Sequence, residues 1–255
     1  MACACTGVGA SDEWLPGNYL AAMIETCRTK AMLLLAGLLL FTGCITIEEH
    51  YTFRKNGSGS MTYVVDMSEL GGMMEAFSES GDAGSGMGDM GSMDMSKEVE
   101  ALKGIPGVSK VKLDGKKKWV QRISFDFKDV DALNAALNQF MHDSSGVRHE
   151  FFRWEGNTLV RTNNRHAHEL GAGLAKGQAA GEEEDADGED EALDMSMMLE
   201  SMKYKYSFKF ASDIVQADLA EGMNKKQKGR ELVLDTDFAV IGADPQALDL
   251  RIVLK

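Results

Sequence analysis

From Lys203 to Phe210 the chain reads Lys-Tyr-Lys-Tyr-Ser-Phe-Lys-Phe, with an aromatic ring at every second position. Side chains on a β-strand alternate between its two faces, so this segment gathers its rings on one side only as a strand. A strand with one aromatic face needs neighbours in a sheet and a second layer to cover the rings. The rest of the chain supplies them. Ile45, Ile47, Tyr51 and Phe53 fall on one face of a strand, with Thr46, Glu48 and Thr52 opposite. Asn56-Gly57 sits between that run and Met61, Tyr63 and Val65, which is a strong hairpin signal.

The same reading extends along the chain. Asp66 or Ser68 caps a short helix running to about Phe77, and a second helix spans Lys97 to Leu102. Gly104 to Gly107 is a turn, Val108 to Leu113 a strand, and Lys116-Lys117-Lys118 an exposed edge. Trp119, Ile123, Phe125 and Phe127 alternate along the next strand. Asp129 caps a helix whose Val130, Leu133, Leu137 and Phe140 share one face. Phe151 to Trp154 and Thr158 to Arg161 form a hairpin about Glu155-Gly156-Asn157. Helical spacing resumes over Ala192 to Met202. After the aromatic strand come an extended stretch at Asp213 to Gln216, a basic turn at Asn224 to Gly229 and a strand at Glu231 to Thr236. A short apolar piece follows at Phe238 to Ile241, and the chain closes on an amphipathic strand carrying Leu248, Leu250, Ile252 and Leu254. Residues 78–96, rich in Gly, Ser, Asp and Met, cannot build a core, and 163–192, with a weak helical signal near 167–176 and a closing block of Glu and Asp, is a second insertion; both read as disordered and low in complexity. The expectation is an α+β fold: mostly antiparallel strands and hairpins with a few short helices, in a single domain over 44–255.

Residues 1–43 stand apart. Arg28-Thr29-Lys30 precedes an apolar run from Ala31 to Phe41, then Thr42-Gly43-Cys44. A basic flank, a short apolar core and small residues before a cleavage point are the layout of a secretory signal. The run is shorter than the roughly 20 residues a spanning helix needs. Phe41-Thr42-Gly43-Cys44 resembles a bacterial lipobox, with Phe41 where Leu is usual. That resemblance implies lipidation of the Cys44 thiol by fatty acyl groups such as palmitate, removal of the signal peptide and a new N-terminus at Cys44. Acidic Asp12, Glu13 and Glu25 fit a signal poorly, and Met23 is a plausible true start. Cys3, Cys5 and Cys27 leave with the leader, so the mature chain has no second cysteine for a disulfide, a thiolate zinc site or a thiol nucleophile. A net charge of −13 speaks against nucleic acid as a partner. Ile45 rather than Asp follows Cys44, which favours the outer over the inner membrane.

The strand after Cys44, the Asn56-Gly57-Ser58-Gly59 turn, the Asp66-Met67-Ser68 helix start and Gly107-Val108 resemble the LppM-type lipoprotein domain. So do the Trp119–Phe127 strand with its following helix and the Tyr204–Phe210 strand leading to Ile214-Val215. The resemblance implies an envelope-anchored α+β domain and carries no catalytic residues.

Three constellations could carry chemistry. Met87, Met90, Met93 and Met95 lie close together in the first insertion, and thioethers are soft ligands that select Cu(I). Met195, Met197, Met198 and Met202 form a second group that reads as a helix face. Glu183, Asp185, Asp187, Gly188, Glu191 and Asp194 echo a calcium loop loosely, with Glu183 in place of the expected Asp. His166 and His168 are two apart but lack a third ligand at a telling spacing. No nucleophile elbow, phosphate loop or His-Glu-x-x-His run occurs. The sequence therefore points to a non-enzymatic, lipid-anchored envelope protein with a binding or structural role, the membrane as its partner and no cofactor. Soft-metal binding through the Met segment and an unrecognised hydrolase are the alternatives.

Overall fold

The computed structural model describes residues 45–79, 95–141, 144–170 and 200–255. Two sheets dominate, and the protein is largely β with short helices. The larger sheet runs β3-β4-β2-β1-β7-β10-β9 and the smaller β5-β6-β11-β8. Their strands are β1 (Thr46–Phe53), β2 (Gly59–Asp66), β3 (Val108–Asp114), β4 (Val120–Phe127), β5 (Phe152–Glu155), β6 (Thr158–Arg161), β7 (Lys203–Phe210), β8 (Ile214–Leu219), β9 (Asn224–Lys228), β10 (Glu231–Asp237) and β11 (Leu250–Leu254). Helices α1 (Ser68–Glu79), α2 (Ser96–Lys103), α3 (Val130–Leu137) and α4 (Phe238–Ala243) connect or cover them.

The aromatic strand is an interior strand of the larger sheet, next to the central β1. β7 pairs with β1 in parallel and with β10 antiparallel, and the other pairings are antiparallel. Tyr204, Tyr206, Phe208 and Phe210 all face inward and are buried, as alternation demands. Tyr51 stacks on Phe208 at 5.3 Å between centroids and Phe53 on Phe210 at 5.5 Å, both pairs directly opposite in the β1–β7 register. Phe152 of the smaller sheet meets Tyr51 edge-on at 4.9 Å and so joins the two layers. Each such ring removed from water contributes about 1.5–3 kcal/mol.

The β1–β2 hairpin closes where Asn56-Gly57 predicts. Gly57 takes a left-handed φ of 81°, and Asn56 Oδ1 accepts from the Ser58 N–H at 3.3 Å. Asp129 Oδ1 accepts from the Ala132 N–H at 2.9 Å and caps α3, whose Val130, Leu133, Ala136 and Leu137 enter the core. Asn134 of α3 closes the open edge of β5: its side-chain amide donates to the Phe152 carbonyl and accepts from the Phe152 N–H, both at 2.8 Å.

Several expectations need correction. Asn224–Lys228 is an edge strand, fully exposed, where a basic turn was expected. Pairing with β10 supplies a hydrogen-bonding partner that side-chain pattern alone does not reveal. Lysines are a common means of keeping such an edge from pairing with another chain. The short apolar piece at Phe238 to Ile241, to which the pattern assigns no element, falls in a helix over Phe238–Ala243 capped by Asp237, whose carboxylate accepts from the Val240 N–H at 3.0 Å. Trp119 lies outside β4 with a φ of 66°, and its ring covers Gly71 of α1. The ends of both segments read as insertions lie in regular structure. α1 continues through Glu79, Met95 is buried in the core and Ser96 opens α2; residues 80–94 lie outside the described set. Residues 163–170 also belong to the packed body, with a helix over 165–170 and Asn164 and Ala167 buried. Most of the acidic and Met-rich stretch after 170, including the calcium-loop echo, lies outside the described residues.

Candidate functional site

The most unusual feature of the interior is an ion pair. Glu49 and Arg161 are both 0% exposed. Glu49 occupies an inward position of β1 between Ile47 and Tyr51, and Arg161 ends β6 in the other sheet. The guanidinium holds the carboxylate with two donors, at 2.8 and 3.2 Å. A bidentate geometry of this kind is the strongest available to Arg and a carboxylate. Tyr51 and Tyr204 each donate a phenol O–H to a Glu49 oxygen. Arg161 also donates to the Tyr51 hydroxyl at 2.8 Å and, through Nε, to Asn164 Oδ1 at 2.8 Å. Asn164 in turn donates to Asp249 at 2.9 Å. Tyr206 and Phe152 present ring faces to the guanidinium at 4.5 and 4.9 Å.

The electrostatics follow from burial. It disfavours the Arg161 cation, but the Glu49 carboxylate and the tyrosine oxygens outweigh it and hold the guanidinium firmly protonated. Burial pushes the phenols of Tyr51, Tyr204, Tyr206 and Tyr63 well above their ordinary range, so they remain donors. Asp249, half-buried, is raised by burial, with the Asn164 amide acting against it. Neither charge of the pair meets solvent, so no solute reaches them. This centre links one sheet to the other through the bonds of Arg161 to Glu49 and Tyr51.

The chain opens to solvent at the far end of the sheets. A groove of about 440 Å³ lies between the C-terminal ends of β1, β7 and β11 and the β5–β6 turn. Phe53, Trp154, Phe210 and Leu254 form its apolar walls, and Arg54 and Lys55 also line it. Trp154 meets Phe53 edge-on at 5.9 Å, which fixes one wall. A second groove of about 370 Å³ adjoins it across Gly57 and Trp154 and is bordered by Asp129, Asp131 and Glu150. Concave apolar surface with a few polar groups is what ligand sites are made of.

Neither feature includes the residues singled out from sequence. Cys44, Met87, Met90 and Met93 lie outside the described residues. Met95 is buried in the core beside α2. Among the described residues, no group of three His, Cys, Asp or Glu side chains is placed to hold a metal ion. No helix among them is long and apolar enough to cross a membrane. The buried pair was missed, although Glu49 breaks the apolar alternation of β1 at an inward position, a signal of a charge with a buried partner.

The sequence matches no family profile and no curated protein. Among solved structures it is similar to the folded domain of LppM from Mycobacterium tuberculosis, determined by NMR. The two align with a TM-score of 0.42 and 9% identity, over 84% of this chain and 91% of that one.

Proposed function

We propose that this chain is a lipid-anchored protein of the bacterial cell envelope, held by acyl chains on Cys44, with a non-catalytic binding or structural role. The observation that carries the reading is how closely the fold follows the lipobox-like sequence. Ile45 is already half-buried, its carbonyl accepts from the Lys203 N–H at 2.9 Å, and β1 begins at Thr46. A single residue therefore separates Cys44 from the central strand of the sheet. Acyl chains at Cys44 would set the folded body directly on the bilayer without a tether. A residue carrying several acyl chains also meets the two-signal requirement for stable membrane attachment. β1 then runs away from the membrane. Its eight residues place the groove about 26 Å from the anchor at strand rise. The outer membrane is the proposed site, because Ile45 follows Cys44.

Detergent partitioning tests the anchor. The native protein enters the detergent phase and the Cys44→Ala form stays in the aqueous phase with the same fold by circular dichroism. Equal partitioning of the two would defeat the reading.

A further inference from the structure

Among the hairpins of the larger sheet, β1–β2 and β9–β10 turn at the far end, beside Phe53 and Lys209. The β3–β4 turn, residues 115–119, lies instead at the end where β1 begins. Register fixes how close it stands to that strand. Thr46 pairs with Asp66 and Asp66 with Val120, so Ile45, Met67 and Trp119 are level across β1, β2 and β4. The Met67 N–H donates to the Trp119 carbonyl at 2.8 Å, in keeping with that alignment. Two strand spacings, about 10 Å, therefore separate Trp119 from Ile45, the residue after Cys44.

The turn reads Gly115-Lys116-Lys117-Lys118-Trp119, and its lysines are exposed. Lys117 lies 3.8 Å from Asp66, Lys118 pairs with Glu75, and Lys116 is in no ion pair among the described residues. Asp114, just before the turn, accepts from the Lys116 N–H at 3.2 Å. The two pairs are solvent-exposed and hold their lysines weakly, so both lysines can exchange their carboxylates for lipid phosphates. Trp119 is half-buried: its ring covers Gly71 of α1, and its Nε1 donates to Glu75 at 3.2 Å. Its φ of 66° is left-handed, an outlier for a bulky residue of the kind that clusters at functional sites. On the other side of β1, the same end carries Lys203 with Asp237, followed by α4 and Asp244. The run of lysines is thus confined to the β4 side of the anchor.

We propose that the Lys116–Trp119 turn is a second membrane contact, with its lysines on the headgroups of anionic phospholipid and Trp119 at the level of the interface. The inference rests on acylation of Cys44, which leaves no tether to lift this end of the sheet from the bilayer. Lysines beside an anchor gain from a negative membrane surface, and Trp is enriched where headgroups meet water. The same surface repels a chain whose net charge is −13. An acylated body free to tilt about Ile45 therefore turns its lysine-bearing β4 side down. Anchor and turn together restrict the tilt of the sheet on the bilayer.

Trp14 leaves with the leader, so the mature chain keeps Trp119 at the anchor end and Trp154 at the far end, beside Phe53. The acylated protein is placed in vesicles of phosphatidylglycerol and phosphatidylcholine in equal parts, the latter brominated near the headgroup, and emission is compared with unbrominated vesicles. In Trp154→Phe, where Trp119 alone emits, bromine is expected to lower emission at least about twofold. In Trp119→Phe, emission from Trp154 is expected to stay unchanged. Adding Lys116→Glu, Lys117→Glu and Lys118→Glu to Trp154→Phe is expected to reduce the quenching about twofold while the acyl chains keep the protein on the vesicles. If a tryptophan variant misfolds, a fluorophore on Lys116→Cys, set against one on Lys55→Cys, makes the same comparison at two exposed positions. Flotation with the vesicles separates the two claims. Protein that does not float defeats the anchor, and the turn contact with it. Protein that floats but is quenched equally at both ends, is not quenched at Trp119, or is quenched as strongly after the lysines are reversed overturns the turn contact alone.

Discussion

Removing one half of the Glu49–Arg161 pair strands the other half as a charge in the core. Arg161→Met keeps most of the side-chain volume but leaves Glu49 facing only the hydroxyls of Tyr51 and Tyr204. Glu49→Gln keeps an acceptor for those hydroxyls but leaves the guanidinium without a counter-charge. Breaking a buried pair from either side costs about 3–5 kcal/mol. That is a large share of the roughly 5–15 kcal/mol that stabilises a typical protein. At about 2–4 °C of melting temperature per kcal/mol for a protein of this size, each single variant should melt about 6–20 °C lower. The double variant Glu49→Gln, Arg161→Met has no stranded charge, retains an amide for the two phenols and fills the stem of Arg161 with Met. Its loss should be no larger than that of one single variant, instead of the sum of both. Urea unfolding followed by circular dichroism, with equal slopes across the four proteins, measures the cycle. Single losses under about 1 kcal/mol, or losses that simply add, would refute the view that the two charges act as one unit.

Further expectations follow from local geometry. Gly59→Ala would place a Cβ 2.1 Å from the Thr52 carbonyl oxygen and 2.2 Å from the Phe127 ring, so it should cost about 1–3 kcal/mol by the same unfolding assay. Asp129→Ala removes the cap of α3 and should cost about 0.5–2 kcal/mol, with Asp129→Asn recovering most of it. The Glu169 carboxyl is held below its ordinary range first by the Ser144 hydroxyl and N–H, at 2.7 and 2.6 Å, and then by Arg165. A lowered carboxyl favours the folded state above its unfolded pKa and loses that contribution as pH falls through the folded one. The Ser144 amide resonance should therefore titrate below the usual Glu range, and Glu169→Gln should abolish the titration.

Much of this architecture can be read from alternation. The strands at Thr46–Phe53, Lys203–Phe210 and Leu250–Leu254 each show their buried face as a two-residue period, the Asn56-Gly57 turn marks the β1–β2 hairpin, and the Gly156 turn marks the β5–β6 hairpin. Features set by tertiary neighbours do not show in such a pattern. Asn224–Lys228 has no apolar face, and only its pairing with β10 makes it a strand. β1 and β7 lie parallel although more than 140 residues separate them, a pairing no local motif announces. Asn164 looks like the start of a polar loop, yet it is buried because Arg161 and Asp249 both need it. The groove is legible only after folding, since its walls come from the ends of four distant strands.

The central claim is the anchor, and intact mass of the protein purified from native membranes tests it most directly. The account predicts a chain beginning at Cys44 whose mass exceeds that of the polypeptide by its acyl groups, with Cys44→Ala retaining the leader. A chain still carrying residues before Cys44, or one beginning there without acyl mass, would contradict it.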